Sequence, residues 1–233
     1  MFTRTARFYD AIYSFKDYAV EARAIDRIIK ERNPAATTLL DVACGTGAHL
    51  EHLKTHYRAE GLDLDTVLLD VARAKNPDIR FHEANMTRFD LKRHFDAVTC
   101  LFSSIGYVRT EQGLDAAIGC MAAHLEDEGV LIVEPWLTPD GFEDGHLGSL
   151  FVDEPDLKIA RVNTAERDGG VSRLHFEYLV ATREGIDHVS EDHVLGLWPA
   201  ARYVEAFEKA GLVVEHDPEG LMGRGLFVGR RRA

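Results

Sequence analysis

The sequence predicts an α/β protein: a doubly wound, seven-strand sheet with a small antiparallel β-sheet inserted late in the chain. Three observations predict it. Short β-branched runs alternate with stretches of helical periodicity from residue 18 to residue 134. The first strand runs directly into a glycine-rich turn that opens a helix, and the helical rhythm vanishes between Glu134 and Trp198.

The elements follow in order. Tyr18, Ala22, Ile25, Ile28 and Ile29 recur at helical spacing, giving an amphipathic helix that closes near Asn33-Pro34. A strand, Thr38 to Val42, enters the glycine turn, and a helix leaves it through about Thr55. The next strand covers Ala59–Leu62, and Asp65 caps a helix that Asn76-Pro77 stops after Lys75. Ile79–Glu83 and Phe95–Leu101 read as strands, Thr110 to Leu125 as a helix, and Val130–Glu134 (VLIVE) as a buried parallel strand. Lys158–Glu166, Ser172–Thr182 and Ile186–Leu197 form the antiparallel insertion, with Asp168-Gly169-Gly170 as a hairpin turn. The core then resumes with a helix over Ala200–Ala210, Gly211 as its C′ residue, and strands Leu212–Glu215 and Leu226–Gly229. The expected division is a core of 1–135 and 199–233 with an inserted lid at 136–198.

Composition narrows the function. The chain has 233 residues and 39 acids against 27 Lys and Arg, a net charge of −12, and residues 134–192 alone carry −9 of it. Nucleic acid is a poor partner, because its binding needs clustered cations and the basic run Arg230–Arg232 reads as a solvated tail. No apolar run approaches the ~20 residues of a membrane helix, and the first thirty residues show no cleavable leader, so a cytoplasmic protein is expected. Cys44, Cys100 and Cys120 lack CxxC spacing and are read as small buried residues, so neither disulfide nor zinc is expected. His49, His52 and His56 lie at i, i+3 and i+7, but no acid or cysteine completes a metal site, and no metal is assigned.

The chemistry begins at LLDVACGTGAHL, residues 39–50. The glycines let a ligand approach the backbone at a helix N-terminus. Leu50 stands where a dinucleotide fingerprint needs its third glycine, and no lysine follows Gly47 as a phosphate-binding GxxxxGK[ST] loop requires. Sixteen residues past Gly47, Asp63 follows the second strand, where a carboxylate takes both hydroxyls of a ribose. A glycine loop with a ribose acid fits an adenosine cofactor without a pyrophosphate.

This combination resembles the class I S-adenosylmethionine (SAM) methyltransferases, whose first motif D/E-x-x-x-G-x-G is matched by Asp41, Gly45 and Gly47. Further stretches resemble one branch, the N,N-dimethyltransferases of nucleotide-linked amino sugars of the desosamine and mycaminose type. They are FYD (8–10), KDYAVEA (16–22), FSSIGY (102–107), VEPW (133–136), ARV (160–162) and GRGLFVG (223–229). The resemblance implies SAM as cofactor, held by Tyr18, Asp41, Ala43, Gly45, Gly47, Asp63, Leu64, Asn85, Met86 and Leu101. Asn85 stands where the family often has an Asp, and its amide oxygen is expected to reach the adenine amino group.

The same resemblance puts Tyr9 and Tyr107 at the reacting centre, where aromatic faces favour a sulfonium and hydroxyls orient an amine. Ser104, Glu134 and Arg224 are the substrate candidates. Glu134 either handles the acceptor amine or caps the following turn, and Arg224 suits a pyrophosphate. The expected reaction is direct displacement onto the amine of a nucleotide-linked deoxyamino sugar, by a homodimer. A free amine as acceptor and a non-catalytic SAM-fold binding protein are the alternatives. An (N/D)PPY sequence, expected for adenine methylation in DNA, is absent after the fourth strand.

Overall fold

The computed structural model describes residues 5–231. A short helix, α1 (Tyr9–Ile12), precedes α2 (Tyr18–Arg32), whose N-cap Asp17 accepts the Val20 N–H. The α/β alternation then runs β1 (Thr38–Val42), α3 (Ala48–Leu53), β2 (Arg58–Asp63), α4 (Thr66–Lys75), β3 (Arg80–Glu83), β4 (Phe95–Cys100), α5 (Glu111–Ala123) and β5 (Leu125–Val133). Four strands follow: β6 (His146–Glu154), β7 (Leu157–Asp168), β8 (Val171–Thr182) and β9 (Gly185–Gly196). The chain closes with α6 (Ala200–Lys209), β10 (Leu212–Asp217) and β11 (Leu226–Arg231).

The large sheet has the order β10-β11-β5-β4-β1-β2-β3, with β11 alone reversed. Strand order reverses between β1 and β4, and ligands of doubly wound sheets sit at that crevice, beyond the strands' C-terminal ends. Alternation along the strands builds two cores. Leu40, Val42, Val98, Leu131 and Val133 pack on α5 and α6 through Leu114, Ile118, Tyr203 and Phe207. Leu39, Ala97, Val130 and Ile132 pack on α2 and α3 through Ile25, Ile29, Leu50 and Leu53.

The smaller sheet, β6-β7-β8-β9, is antiparallel throughout. Its inner face, with Ile159, Phe176, Tyr178 and Val180, closes on Ile12 of α1. The sequence reading found three of these strands and missed β6. In HLGSLFVDE the apolar residues do not alternate, and the strand lies at an edge with Leu147 and Phe151 in solvent.

Other expectations are corrected. α3 stops at Leu53, so His56 is beyond the helix and the three histidines do not share one face. α5 ends at Ala123, and β5 starts at Leu125 with a pairing irregularity, earlier than VLIVE suggests. Cys44 and Cys120 are only half-buried; Cys100 alone is fully buried. Arg230 and Arg231 belong to β11, with Arg231 donating to the Ala122 carbonyl, so they are no free tail; Arg232 lies outside the described residues. Eleven of the fourteen acids between 134 and 192 are exposed, so the insertion's negative charge faces solvent.

Candidate active site

The loop from β1 to α3 is held in an unusual backbone state. Ala43, Gly45 and Gly47 have φ of 58°, 56° and 70°, and the alanine bears this left-handed strain without glycine's relief. Asp63, at the end of β2, fixes the loop: one carboxylate oxygen accepts the Gly45 N–H at 2.8 Å and the other accepts the Asp65 N–H at 2.8 Å. Burial pushes the Asp63 carboxyl above its ordinary range, against these bonds. Below the loop, buried Asp41 accepts the Thr99 hydroxyl at 2.7 Å, and burial pushes its pKa to about 6.

The opposite side is braced by the N-terminal segment. Asp10 of FYD accepts the Thr46 hydroxyl at 2.7 Å and the Lys75 ammonium at 2.9 Å, tying α1 to the glycine loop. The Lys16 ammonium is buried; it donates to Glu21 at 2.6 Å and lies 4.1 Å over the Phe102 ring. Glu21 also bonds His49 of α3 at 2.7 Å. Burial raises the Glu21 carboxyl, but the His49 and Lys16 bonds outweigh it and the net shift is downward. Tyr18 sets its ring edge-on to His49, 4.9 Å between centroids, and its buried hydroxyl has no hydrogen-bond partner among the described residues.

The turn after β4 forms the third side. Phe102 and Ser103 have positive φ, 50° and 61°. Glu134, with no exposed surface, caps this turn by accepting the Phe102 N–H at 2.6 Å, and its other oxygen is buried without a partner among the described residues. The turn-capping role is thus the one the geometry realises, and burial raises the Glu134 carboxyl. Ser103 donates to the Pro135 carbonyl, and Ser104 reaches the Ala43 carbonyl at 3.5 Å. Arg224 donates to Ser103 Oγ at 3.1 Å and stacks 4.8 Å over Trp136.

These walls enclose a cavity of ≈ 450 Å³ between the strand ends and the small sheet. Tyr9, Ser104, Tyr107 and Arg224 line it, as do Tyr13, Phe102, Trp136, Arg161, Phe176 and His193. Tyr9 and Tyr13 lie 4.7 Å apart, and Tyr13 meets Phe102 edge-on at 5.0 Å. Burial raises the phenols of Tyr9 and Tyr107 well above their usual range, so both are neutral hydroxyls. The glycine loop, Asp41 and Asp63 stand at the adjoining strand ends.

The remaining expected residues are placed as follows. Leu64 is an exposed apolar side chain beside Asp63. The Asn85 amide oxygen accepts both the N–H and the hydroxyl of Thr87, so it is engaged by its own turn. Met86 packs on the α5–α6 core, and Leu101 is buried among Leu39, Leu50 and Val130. Sequence reasoning missed Asp10, Lys16, Arg161 and His193; the first three sit inside the quoted strings FYD, KDY and ARV. His193 has no such local signal, since only the pairing of β9 with β8 brings it inward. Among the described residues no group of side chains could hold a metal, and no helix is long and apolar enough to cross a membrane.

The residues present fit SAM. A Cβ built on Gly45 would meet nothing within 4 Å, so the loop backbone borders open space at the start of α3, beside a ribose-type carboxylate. Comparison with known proteins agrees. Residues 39–129 match a family model described as a methyltransferase domain. The chain is 42% identical over 228 residues to a dTDP-3-amino-3,6-dideoxy-alpha-D-glucopyranose N,N-dimethyltransferase of Streptomyces fradiae, spanning 96% of this chain and 89% of that one. It is 43% identical over 225 residues to a dTDP-3-amino-3,4,6-trideoxy-alpha-D-glucopyranose N,N-dimethyltransferase of Streptomyces venezuelae, spanning 95% of each. The solved structure of a SAM-bound amino pentose methyltransferase of Micromonospora echinaspora superposes with a TM-score of 0.89 at 40% identity, over 96% of both chains.

Proposed function

The chain belongs to the SAM-dependent N,N-dimethyltransferases of nucleotide-linked amino sugars, and from that membership we propose that it methylates the amine of a nucleotide-linked deoxyamino sugar. The observation that carries the reading is the cavity beside the glycine loop: aromatic and hydroxyl-bearing near Tyr9 and Tyr107, and cationic at Arg161 and Arg224. When bound, SAM supplies an electrophilic methyl group and a sulfide leaving group.

Each side chain then has a task. Gly45 and Gly47 let the loop backbone approach the cofactor, with Asp41 and Ala43 shaping the loop. Asp63 and Leu64 take the ribose side, the turn of Asn85 and Met86 borders the adenine with the Asn85 oxygen kept by Thr87, and Leu101 backs the pocket. Tyr18 offers toward the cofactor a hydroxyl that bonds no other described residue. Tyr9 and Tyr107 hold the amine in line, and such positioning contributes roughly 7–11 kcal/mol in favourable cases. Ser104 and Arg224 face the sugar nucleotide; Glu134 supports them by fixing the turn that carries Phe102 and Ser103. The free cationic amine as acceptor rests on the acidic insertion, most of whose acids are exposed to solvent, although Glu143 lines the cavity.

We further place residues 136–198 as a lid on the core of 1–135 and 199–233. We propose a homodimer joined through the lid's outer face, where Leu147, Phe151, Val162 and Leu179 are exposed. Three free thiols suit a reducing compartment, supporting the cytoplasm. Arg224→Ala tests the acceptor class: KM for the nucleotide-linked sugar should rise about tenfold or more, the size of a lost charged hydrogen bond, with SAM affinity unchanged. An unchanged KM would favour a free amine.

A further inference from the structure

A chain of polar groups runs behind the cavity wall. The Tyr107 hydroxyl lies 2.6 Å from His193 Nδ1. On the far side of the imidazole, Nε2 faces Glu191 Oε2 at 3.7 Å. Glu191 is itself fixed, accepting the Thr5 N–H at 3.1 Å and the Thr5 hydroxyl at 2.8 Å. A carboxylate facing Nε2 favours the Nε2–H tautomer, which leaves the Nδ1 lone pair for the phenol's proton. His193 is 2% exposed, and its ring stands edge-on to Phe176 at 5.1 Å.

We propose that His193 is the proton acceptor of the methylation, reached through Tyr107. The inference rests on the reading that the acceptor is an amine. A sugar ammonium must lose a proton before its lone pair can attack, and each methyl transferred to an ammonium releases one proton overall. As the amine's N–H bond breaks, its proton passes to Tyr107 Oη while the phenol's own proton moves to His193 Nδ1. Tyr107 is thus unchanged, His193 becomes an imidazolium facing the Glu191 carboxylate, and that proton leaves to water through the cavity mouth. The phenol cannot be the terminal base, because burial keeps its own proton on. Dimethylation runs the relay twice.

The groups around His193 agree with this role. From its own strand come Glu191 and the exposed Asp192, which is held by His175. From β8 comes Tyr178, from β7 Arg161, which lies over Phe176, and from the end of α1 its C-cap Tyr13. Burial lowers the imidazole's proton affinity, with Glu191 and Asp192 opposing it, so His193 rests neutral and able to accept.

His193→Asn is the test, since an amide oxygen can still accept from Tyr107 but cannot be protonated. The variant's kcat/KM should fall about a hundredfold near neutrality, the lower range for a positioned proton acceptor, and recover as pH passes the substrate amine's own pKa. Tyr107→Phe should show the same profile, and the double variant should be no worse than either single one. SAM affinity by calorimetry should be unchanged, and ¹⁵N spectra of the wild-type ring should show the Nε2–H tautomer. A loss equal at every pH, no loss at all, or an Nδ1–H tautomer would overturn the relay while leaving the amine reading intact. A wild-type enzyme that methylates no amine would sink both.

Discussion

Asp41 shows how a single residue couples the loop's architecture to pH. It is buried under the glycine turn, hydrogen-bonded to Thr99, and burial raises its pKa from 3.8 to about 6. An acid raised in the folded state favours folding fully below its unfolded pKa, and that contribution is lost as pH climbs through the folded value. Above pH 6 the ionised form therefore costs on the order of 3 kcal/mol, from the two pKa values at 1.36 kcal/mol per unit. Asp41→Asn keeps the acceptor oxygen and removes the titration. Denaturant melts should show the variant gaining on the wild type between pH 4 and pH 7, by on the order of that amount. Parallel pH profiles for the two proteins would refute the assignment.

At the scale of elements, the loop between β1 and α3 is the part that binding demands and folding only tolerates. At Gly45, φ is 56° and a Cβ would meet nothing, so Gly45→Ala should cost only about 1–2 kcal/mol of stability for the left-handed backbone. The added methyl projects into the space assigned to SAM, so calorimetry should show cofactor affinity falling more than tenfold, while unaltered affinity would move the cofactor elsewhere. This loop was legible in the sequence because strand, glycines, helix and Asp63 are local and in register. The helix between Asp65 and Asn76-Pro77 was legible for a similar reason: its cap and its stop are both written beside it. Edge strand β6 was not, because exposed Leu147 and Phe151 break the inward alternation that marks a buried strand. The Asp10–Thr46 brace and the Tyr107–His193 pair were also hidden, since 36 and 86 residues separate the partners and only the finished fold joins them.

For the molecule as a whole, the large sheet carries the glycine loop and the small sheet forms one wall of the cavity. Cross-strand pairing puts Phe151, Ala160 and Leu179 in one row of the small sheet's outer face, with Val162 and Leu147 alongside. Phe151→Lys should convert a dimer to monomers in sedimentation, and a wild type that sediments as a monomer would remove that interface. Most acids of the insertion are exposed to solvent, while Glu143 shares the cavity lining with Arg161 and Arg224. The most direct test of the central claim is to incubate the enzyme with SAM and a dTDP-linked amino sugar and follow the acceptor by mass. The account predicts a gain of one and then two methyl groups with matching release of S-adenosylhomocysteine, whereas methylation of free amines but never of the nucleotide-linked sugar would contradict it.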